Sequence, residues 1–503
     1  MILTWLILVP LIGGAIALLA GRWPTAARVS ALAACGLDFA LGLAVWGTAV
    51  AGGAGLEHQR AWIPQLGISY HVAMDGLSLL LVLLTAFLGM VAVMASWREI
   101  TELVGPFHFA LLATVGGLIG VFLARDLFLF YLFWELMLVP MYLLIGKWGH
   151  ERRLYAAIKF FLFTFISSLL MLGSILGLAY LHAGATGVLT FDLDSLRATP
   201  MGPGVAALIM AGFLAAFLVK LPAFPLHTWL ADAHTEAPTG ASILLAGALL
   251  KTGAYGLLRI AVPLLPGPSS EFARAACVLG VVSILYGGIV TFSQTSLKRM
   301  IAFSSISHMG FVLLGIYAGN EIALQGALLQ MLAHGVSTPA LFFLAGGFYQ
   351  RCRTFELDRL GGLWQIVPRL GGFTLFFAMA ALGLPGLGNF VGEFLVLLGA
   401  YRFSPALAMV GAGGFVVSVV YAVRLVQETV HGPNHEGWKA PDLSARELAT
   451  LGVMSAGILW LGVYPQPVFE AGRKSLLPDQ RYVSGETSAA QGEAAHVDWR
   501  PAR

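Results

Sequence analysis

The sequence predicts an all-α membrane protein that crosses the bilayer through about fourteen transmembrane helices. Of its 503 residues, 58% are hydrophobic and only 11% are charged, and the mean hydropathy is +0.82. A chain this apolar cannot present a solvated surface. Membrane barrels alternate polar and apolar residues, whereas segments such as 160–179 and 324–348 are apolar all round apart from isolated polar sites. A helical bundle is therefore expected.

Apolar runs of about 20 residues, bounded by proline, glycine and charged clusters, mark the expected crossings. The predicted spans are 2–20, 29–50, 74–96, 107–124, 127–146, 157–182, 204–221, 239–261, 272–293, 300–318, 321–348, 371–401, 406–430 and 447–464. Residues 223–238 are too short and too polar to span, so we interpret them as a half-helix that continues a broken seventh span. The first segment lacks a basic start and a clear cleavage site, which favours a retained helix.

Basic residues are distributed unevenly between the loops. If the N-terminus faces out, the loops after odd-numbered spans carry most of the Lys and Arg residues, among them Lys298. Because cytoplasmic loops are enriched in these residues, both termini are predicted on the periplasmic side of a cell inner membrane. The polar tail from Gln466 onward is expected to be a peripheral extension without identifiable chemistry.

The three cysteines, Cys35, Cys277 and Cys352, stand alone, without a CxxC or similar pairing. A metal, haem or iron–sulfur site made by this chain is therefore not expected. The high apolar content and low charge also give no indication of nucleic-acid binding.

Four ionisable residues lie inside apolar spans, flanked on both sides by apolar residues: Glu135, Lys220, Lys251 and Glu393. A charge near the bilayer centre costs roughly 2.5–3.5 kcal/mol, so four in one chain favour a functional role inside the bundle. The structural alternative is that they form buried ion pairs or extend toward the interface.

Two of these charges lie beside predicted helix breaks. Lys220 is followed by the sequence LPAFP, and Glu393 is preceded by LGLPGLGNF at 382–390. Broken helices inside a membrane line water or lie within protein, and similar breaks in two halves indicate inverted repeats. The predicted organisation is helices 1–3 in 1–106, a first repeat in 107–261, a second repeat in 272–430, and a last helix with the polar tail in 447–503.

Histidines lie between the charges along the chain. His308 and His334 fall within apolar spans, and a neutral histidine can accept and release a proton near neutral pH, which suits a relay. The alternative is a hydrogen-bonding role in the core. His227 and His234 lie near Asp232 and Glu236, but their spacing matches no zinc motif, so loop or inter-helix bonding is favoured over metal.

Five segments resemble the antiporter-like membrane subunits of NADH:quinone oxidoreductase, or respiratory complex I, and the related Mrp-type cation/proton antiporters. They are MDGLSLLL at 74–81, FWELMLVPMYLLIGKWG at 133–149, PLHTWLADAHTEAPTGASILLAGALLKTGAYGLLR at 225–259, SLKRMIAFSSISHMG at 296–310 and GNFVGEFLVL at 388–397. The resemblance covers nearly all of spans 3 to 13. It implies a fold of fourteen helices with two inverted five-helix repeats.

The resemblance also implies roles for the buried residues. Glu135 would pair with Lys220, Lys251 would be the central protonation site, and Glu393 would be the terminal site. His308 and His334 match positions of the connecting hydrophilic axis. An acid at 393 is distinctive, because sister subunits usually carry Lys there.

The implied setting is the membrane arm of complex I, in contact with lipid, with protons as the transported species. The implied partners are the neighbouring antiporter-like subunits L and N. No cofactor is implied for this chain, whereas NADH, FMN, iron–sulfur clusters and quinone belong to other subunits. The alternatives are a subunit of a multi-subunit Na⁺/H⁺ antiporter, a hydrogenase-linked relative, or a passive membrane-arm scaffold.

Overall fold

The computed structural model describes residues 1–52 and 56–476, and the part of the predicted polar tail from 477 onward lies outside these residues. The N-terminal part contains two helices, a β-hairpin and a third helix: α1 (Ile2–Leu19), α2 (Pro24–Gly52), β1 (Leu56–Ile63), β2 (Ile68–Met74) and α3 (Gly76–Glu99). The predicted fold did not include the hairpin. Its strands pair in antiparallel fashion at one end of the bundle.

The next segment contains four full-length helices and several shorter ones. The full-length helices are α4 (Val104–Leu123), α5 (Leu127–Trp148), α6 (Arg153–Thr186) and α8 (Pro203–Lys220), and the short ones are α7 (Leu193–Leu196) and α9 (Thr228–Glu236). One further span, Thr239–Leu264, consists of α10 (Thr239–Leu244), α11 (Leu250–Gly256) and α12 (Val262–Leu264), joined by π-helical turns at Leu245–Leu249 and Leu257–Ala261. The predicted break after Lys220 and the half-helix after it are confirmed.

The remaining helices are α13 (Pro266–Phe292), α14 (Leu297–Ala318), α15 (Glu321–Cys352), α16 (Pro368–Ala381), α17 (Gly388–Phe403), α18 (Pro405–Thr429), α19 (Ala445–Val463) and α20 (Gln466–Leu476). The span predicted at 371–401 is interrupted between α16 and α17, as its sequence indicated. Gly383 and Gly386 adopt positive φ angles of 81° and 94° in this turn, a conformation that glycine adopts without steric cost.

Thirteen helices of the described residues are long and apolar enough to cross a membrane. Burial is uneven among them. In the most apolar stretch of each helix, all residues of α15 and of Thr239–Leu264 are buried and 94% of those of α14, against 33% for α18. Polar side chains in the central helices are thus surrounded by protein, whereas the outer helices present apolar residues to their surroundings.

The β-hairpin is held to the bundle by a polar cluster around His71. Its Nδ1 lies 2.6 Å from Asp192 Oδ2, and its Nε2 lies 2.8 Å from Glu57 Oε1. Burial alone lowers the pKa of His71, but the hydrogen bonds and charges of the two carboxylates outweigh burial and raise it. Asp192, bonded in turn to His71, has its pKa lowered to about 2. The hairpin is therefore joined to the α6–α8 connection.

Both ends of the described chain lie at the hairpin end of the bundle. Tyr70 donates a hydrogen bond to Thr4 near the N-terminus, and Leu77 N lies 3.3 Å from Ser475 Oγ of α20. The tail predicted to be peripheral thus begins with a helix that packs on α3.

We expect His71→Gln to destabilise the protein in a pH-dependent way. A raised folded-state pKa contributes stability that is fully present below the unfolded histidine pKa of about 6.5 and is lost as pH rises through the raised value. The substitution should therefore cost about 1–3 kcal/mol at mildly acidic pH and much less at alkaline pH. The measurement is the fraction of detergent-solubilised protein that stays folded on heating, at mildly acidic and at alkaline pH. His58→Gln, on the partner strand, is the control, and an equal loss at both pH values would contradict the prediction.

Candidate functional site

The central buried charge, Lys251, lies on α11 between the two π-helical turns. A π-turn takes one backbone carbonyl out of the regular helical ladder and is frequent at functional sites. Here Lys251 Nζ donates to the Ala246 carbonyl at 2.6 Å. The lysine, which is fully buried, has no carboxylate within ion-pairing distance among the described residues.

Two glycines bring the neighbouring helix close enough to complete this site. A Cβ at Gly247 would lie 2.9 Å from Pro339 and 3.3 Å from the carbonyl of Gly335 on α15. Because neither position carries a side chain, the two helices approach closely. His334 of α15 then presents its Nδ1 at 2.7 Å from Lys251 Nζ.

A second buried cluster lies around Glu393, in the first turns of α17. Its Oε1 is 2.6 Å from His308 Nδ1 on α14, and Gln330 of α15 donates to the same oxygen at 2.6 Å. The other ring nitrogen of His308 lies 3.2 Å from the Tyr421 hydroxyl on α18. Glu393 and His308 are both buried, so the pair is separated from solvent.

The two clusters meet at the histidines. The rings of His308 and His334 lie edge to face with centroids 5.6 Å apart. No hydrogen bond joins them, and His334 Nε2 is buried without a partner in the structure. The structure thus brings Lys251, His334, His308 and Glu393, all predicted from the sequence, into one line across α11, α15, α14 and α17.

Glu135 and Lys220 form a separate pair of charges. Ser168 of α6 donates to Glu135 Oε1 at 2.5 Å, and Glu135 lies within electrostatic range of Lys220. Lys220 Nζ has no hydrogen-bond partner and lies 5.2 Å from the Trp134 ring and 5.6 Å from the Phe160 ring. Among the described residues, the two groups form no ion pair within 4.0 Å, so they interact only through space. No hydrogen bond between described residues connects Lys220 with Lys251.

The sequence interpretation missed several polar residues of this region. Gln330 lies one helical turn before His334 on the same face of α15, a spacing that could have identified it. Lys298 was assigned to a loop, which is wrong: it lies in the first turn of α14 and is fully buried. The predicted span began too late, because the polar residues 293–299 precede the apolar run. Tyr421 carried no signal in the sequence.

The two acidic residues of α9 have partners other than a metal ion. Asp232 accepts hydrogen bonds from Lys159 at 2.7 Å and from Arg299 at 3.0 Å. Glu236 accepts from the backbone N–H of Arg152 at 2.9 Å. Among the described residues, no three His, Cys, Asp or Glu side chains are grouped so that they could hold a metal ion. Inter-helix bonding, the favoured interpretation, accounts for both carboxylates.

The helical fold, with buried charges beside helix breaks, is that of an antiporter-like membrane subunit. A family model described as NADH:quinone oxidoreductase/Mrp antiporter, TM, matches residues 124–419, and the chain belongs to this family. The family predicted from the sequence motifs is confirmed.

Within the family, the chain is similar over nearly its whole length to subunit M of NADH-quinone oxidoreductase. It is 48% identical to that subunit of Pseudomonas aeruginosa over 508 residues, covering 98% of this chain and 100% of the relative. Identity to subunit M of Escherichia coli (strain K12) is 46% over 493 residues, covering 95% and 97%. A chain of the Thermus thermophilus respiratory complex I structure with bound NADH superposes with a TM-score of 0.85 at 34% identity, covering 95% of this chain and 100% of that chain.

We expect the contact between α15 and α17 to tolerate no side chain at Gly392. A Cβ there would lie 2.8 Å from Gln330 N and would push apart the helices that carry Gln330 and Glu393. Gly392→Ala should therefore cost about 1–3 kcal/mol and lower the amount of folded protein in membranes. Gly372→Ala on α16 is the matched control, since its Cβ would meet nothing within 4 Å. Quantitative immunoblotting of membranes before and after heating would show the difference, and identical behaviour of the two variants would refute the close contact.

Proposed function

We propose that the chain is a proton-translocating subunit of an NADH:quinone oxidoreductase, of the subunit M type. The observation that supports this most is the buried line of Lys251, His334, His308 and Glu393, with separations of 2.7 Å and 2.6 Å within its two clusters. Similarity to subunit M along nearly the whole chain favours this function over that of an Mrp-type antiporter or a hydrogenase-linked subunit.

Proton transfer along this line follows from the chemistry of its groups. The Lys251 ammonium can donate to His334 Nδ1, and the imidazolium formed can release a proton from Nε2 on the other side of its ring. A single water between the two rings would pass that proton to His308, and Glu393 would receive it at 2.6 Å from His308 Nδ1. The neutral amine left at 251 stays within reach of the Ala246 carbonyl.

The separate pair of Glu135 and Lys220 would control this line. Because Lys220 has no hydrogen-bond partner, its charge responds to Glu135 through a medium of low dielectric constant. A change in the charge of that pair then alters the field at Lys251. We assign residues 107–261 and 272–430 to two inverted repeats, since each contains a helix break next to a buried charge.

The energy must come from other subunits. Moving one elementary charge against 100 mV requires about 2.3 kcal/mol, and we assign to this chain no redox group of its own. The assembly would supply NADH, FMN, iron–sulfur clusters and quinone, with subunits L and N as membrane-arm neighbours. We place the chain in the cell inner membrane with both termini on the periplasmic side, and the position of both ends of the described chain at the hairpin end supports a common side.

Lys251→Ala tests the central protonation site. The substitution removes the group that reaches both the Ala246 carbonyl and His334, so turnover and pumping should both fall at least about tenfold, equivalent to about 1.4 kcal/mol. NADH:quinone activity and proton uptake by membrane vesicles measure this, with assembly checked on native gels. If the complex assembles and pumps normally, the central role is wrong. If the variant complex does not assemble, the result favours the passive-scaffold alternative.

Ser168→Ala tests the hydrogen bond to Glu135. Loss of a bond to a charged group costs about 1.5–3 kcal/mol, so we expect a loss of turnover of about tenfold to a hundredfold without loss of assembly. Ser167→Ala is a matched control on the same helix, because the Ser167 hydroxyl donates only to the Thr164 carbonyl. Equal activities of the two variants in the same vesicle assay would rule out a role for the bond to Glu135.

A further inference from the structure

We propose that Lys298 and His234 form an entry branch that delivers protons to Lys251 from a polar cleft between three loops. This inference rests on the proposed function and adds a second buried lysine to it. Neither residue belongs to the line from Lys251 to Glu393, and both are fully buried.

Lys298 has the contacts of a proton-transfer group. Its Nζ donates to the Ala237 carbonyl at 2.6 Å, lies 3.5 Å from His150 Nε2 and sits 4.6 Å from the Phe355 ring. Glu99 and Glu236 exert Coulomb interactions on it, but neither forms an ion pair with it within 4.0 Å among the described residues. The ammonium is therefore held by a carbonyl and an imidazole, as Lys251 is.

His234 lies within electrostatic range of both lysines. The charges of Lys298 and Lys251 both act on its ring, which stacks on Phe342 at 4.4 Å and 10°. Both ring nitrogens are buried and have no hydrogen-bond partner in the structure. Leaving a buried polar group unpaired costs about 1–3 kcal/mol, so an imidazole kept in this state indicates a use other than packing.

A cleft of about 600 Å³ opens to the surface beside His150, whose Nε2 lies 3.5 Å from Lys298 Nζ. Its polar lining includes His150, Glu236, Ser296, Tyr349 and Glu356. His150, Ser296 and Glu356 belong to the α5–α6, α13–α14 and α15–α16 connections, whereas Glu236 belongs to α9 and Tyr349 to α15. All three loops follow odd-numbered spans and are predicted on the cytoplasmic face.

His150 is suited to stand at the inner end of the cleft. Burial, and secondly the charge of Lys298, lower the pKa of His150 to about 4. The imidazole is therefore neutral at cellular pH, and its Nε2 can accept a hydrogen bond from Lys298.

The transfer conserves protons and charge at each step. The Lys298 ammonium gives a proton to one nitrogen of His234, and the other nitrogen releases a proton to the neutral amine of Lys251. The Lys298 amine then regains a proton from cleft water by way of His150. No electron moves in any of these steps.

The decisive variants are Lys298→Arg and His234→Phe, made in the whole complex. An arginine keeps the positive charge but does not release its proton. A structural role for the charge therefore predicts normal turnover in Lys298→Arg, whereas the entry branch predicts a loss of about tenfold or more, equivalent to about 1.4 kcal/mol. His234→Phe keeps the stacking on Phe342 and should show the same loss. Arg299→Ala, at the neighbouring and only partly buried position, is the control.

The measurements are NADH:quinone turnover, proton pumping in vesicles and assembly on native gels. Assembled Lys298→Arg with full pumping would overturn the inference, while a simultaneous loss in Lys251→Ala would leave the proposed function intact. Full pumping in both Lys298→Arg and Lys251→Ala would overturn the proposed function as well. If neither Lys298→Arg nor His234→Phe assembles, labelling decides.

Labelling tests the side of entry. The native cysteines are buried, so a His150→Cys variant offers one new thiol for a charged thiosulfonate reagent. Labelling from the cytoplasmic side is expected. Labelling only from the opposite side, or none from either, would contradict the inference.

Discussion

A lysine in a dry helix bundle must be stabilised by the protein without being fixed as a permanent ion pair, and much of this structure meets that requirement at Lys251. A charge paired with a carboxylate in low dielectric is held too strongly to move its proton readily. Here the partners are a carbonyl of a π-turn and a histidine nitrogen. Both bind the ammonium, and only one of them accepts its proton.

The surrounding packing follows from the same requirement. The partner histidine lies on another helix, so α15 must contact the helix of Lys251 backbone to backbone, and Gly247 and Gly335 permit that approach. At the other end, Gly392 allows α17 to approach α15, which places Glu393 beside Gln330. Small residues in membrane helices serve this purpose generally, because lipid supplies no hydrophobic force between helices. The position of each charge therefore depends on the absence of a side chain elsewhere.

Sequence reasoning identified most of the buried charges, because an ionisable residue within an apolar run is conspicuous. It predicted Lys251, Glu393, His308 and His334, and the structure brings these four together. It did not predict which of them touch, since that depends on the π-turns and on glycine contacts between distant segments. Lys298 was missed because it follows a polar stretch and looks like a loop residue, although the fold covers it completely. The hairpin was missed because five of the eight residues of β1 are exposed, so its sequence resembles a loop between spans.

The arrangement of Glu135 and Lys220 differs from that of Lys251 in a way that suits control rather than transfer. Two unit charges at an effective dielectric constant of 20 interact by about 4 kcal/mol at 4 Å and about 2 kcal/mol at twice that distance. A pair already in contact responds little to small movements, since strong hydrogen bonds hold it. Lys220 has no hydrogen-bond partner, and Ser168 holds the carboxylate of Glu135 near it. A movement of Lys220 by a few ångströms can therefore change the interaction energy of the two charges by about 2 kcal/mol. That amount is close to the energy of moving one charge against 100 mV, about 2.3 kcal/mol. The break of the helix directly after Lys220 removes the backbone restraint that would oppose such a movement.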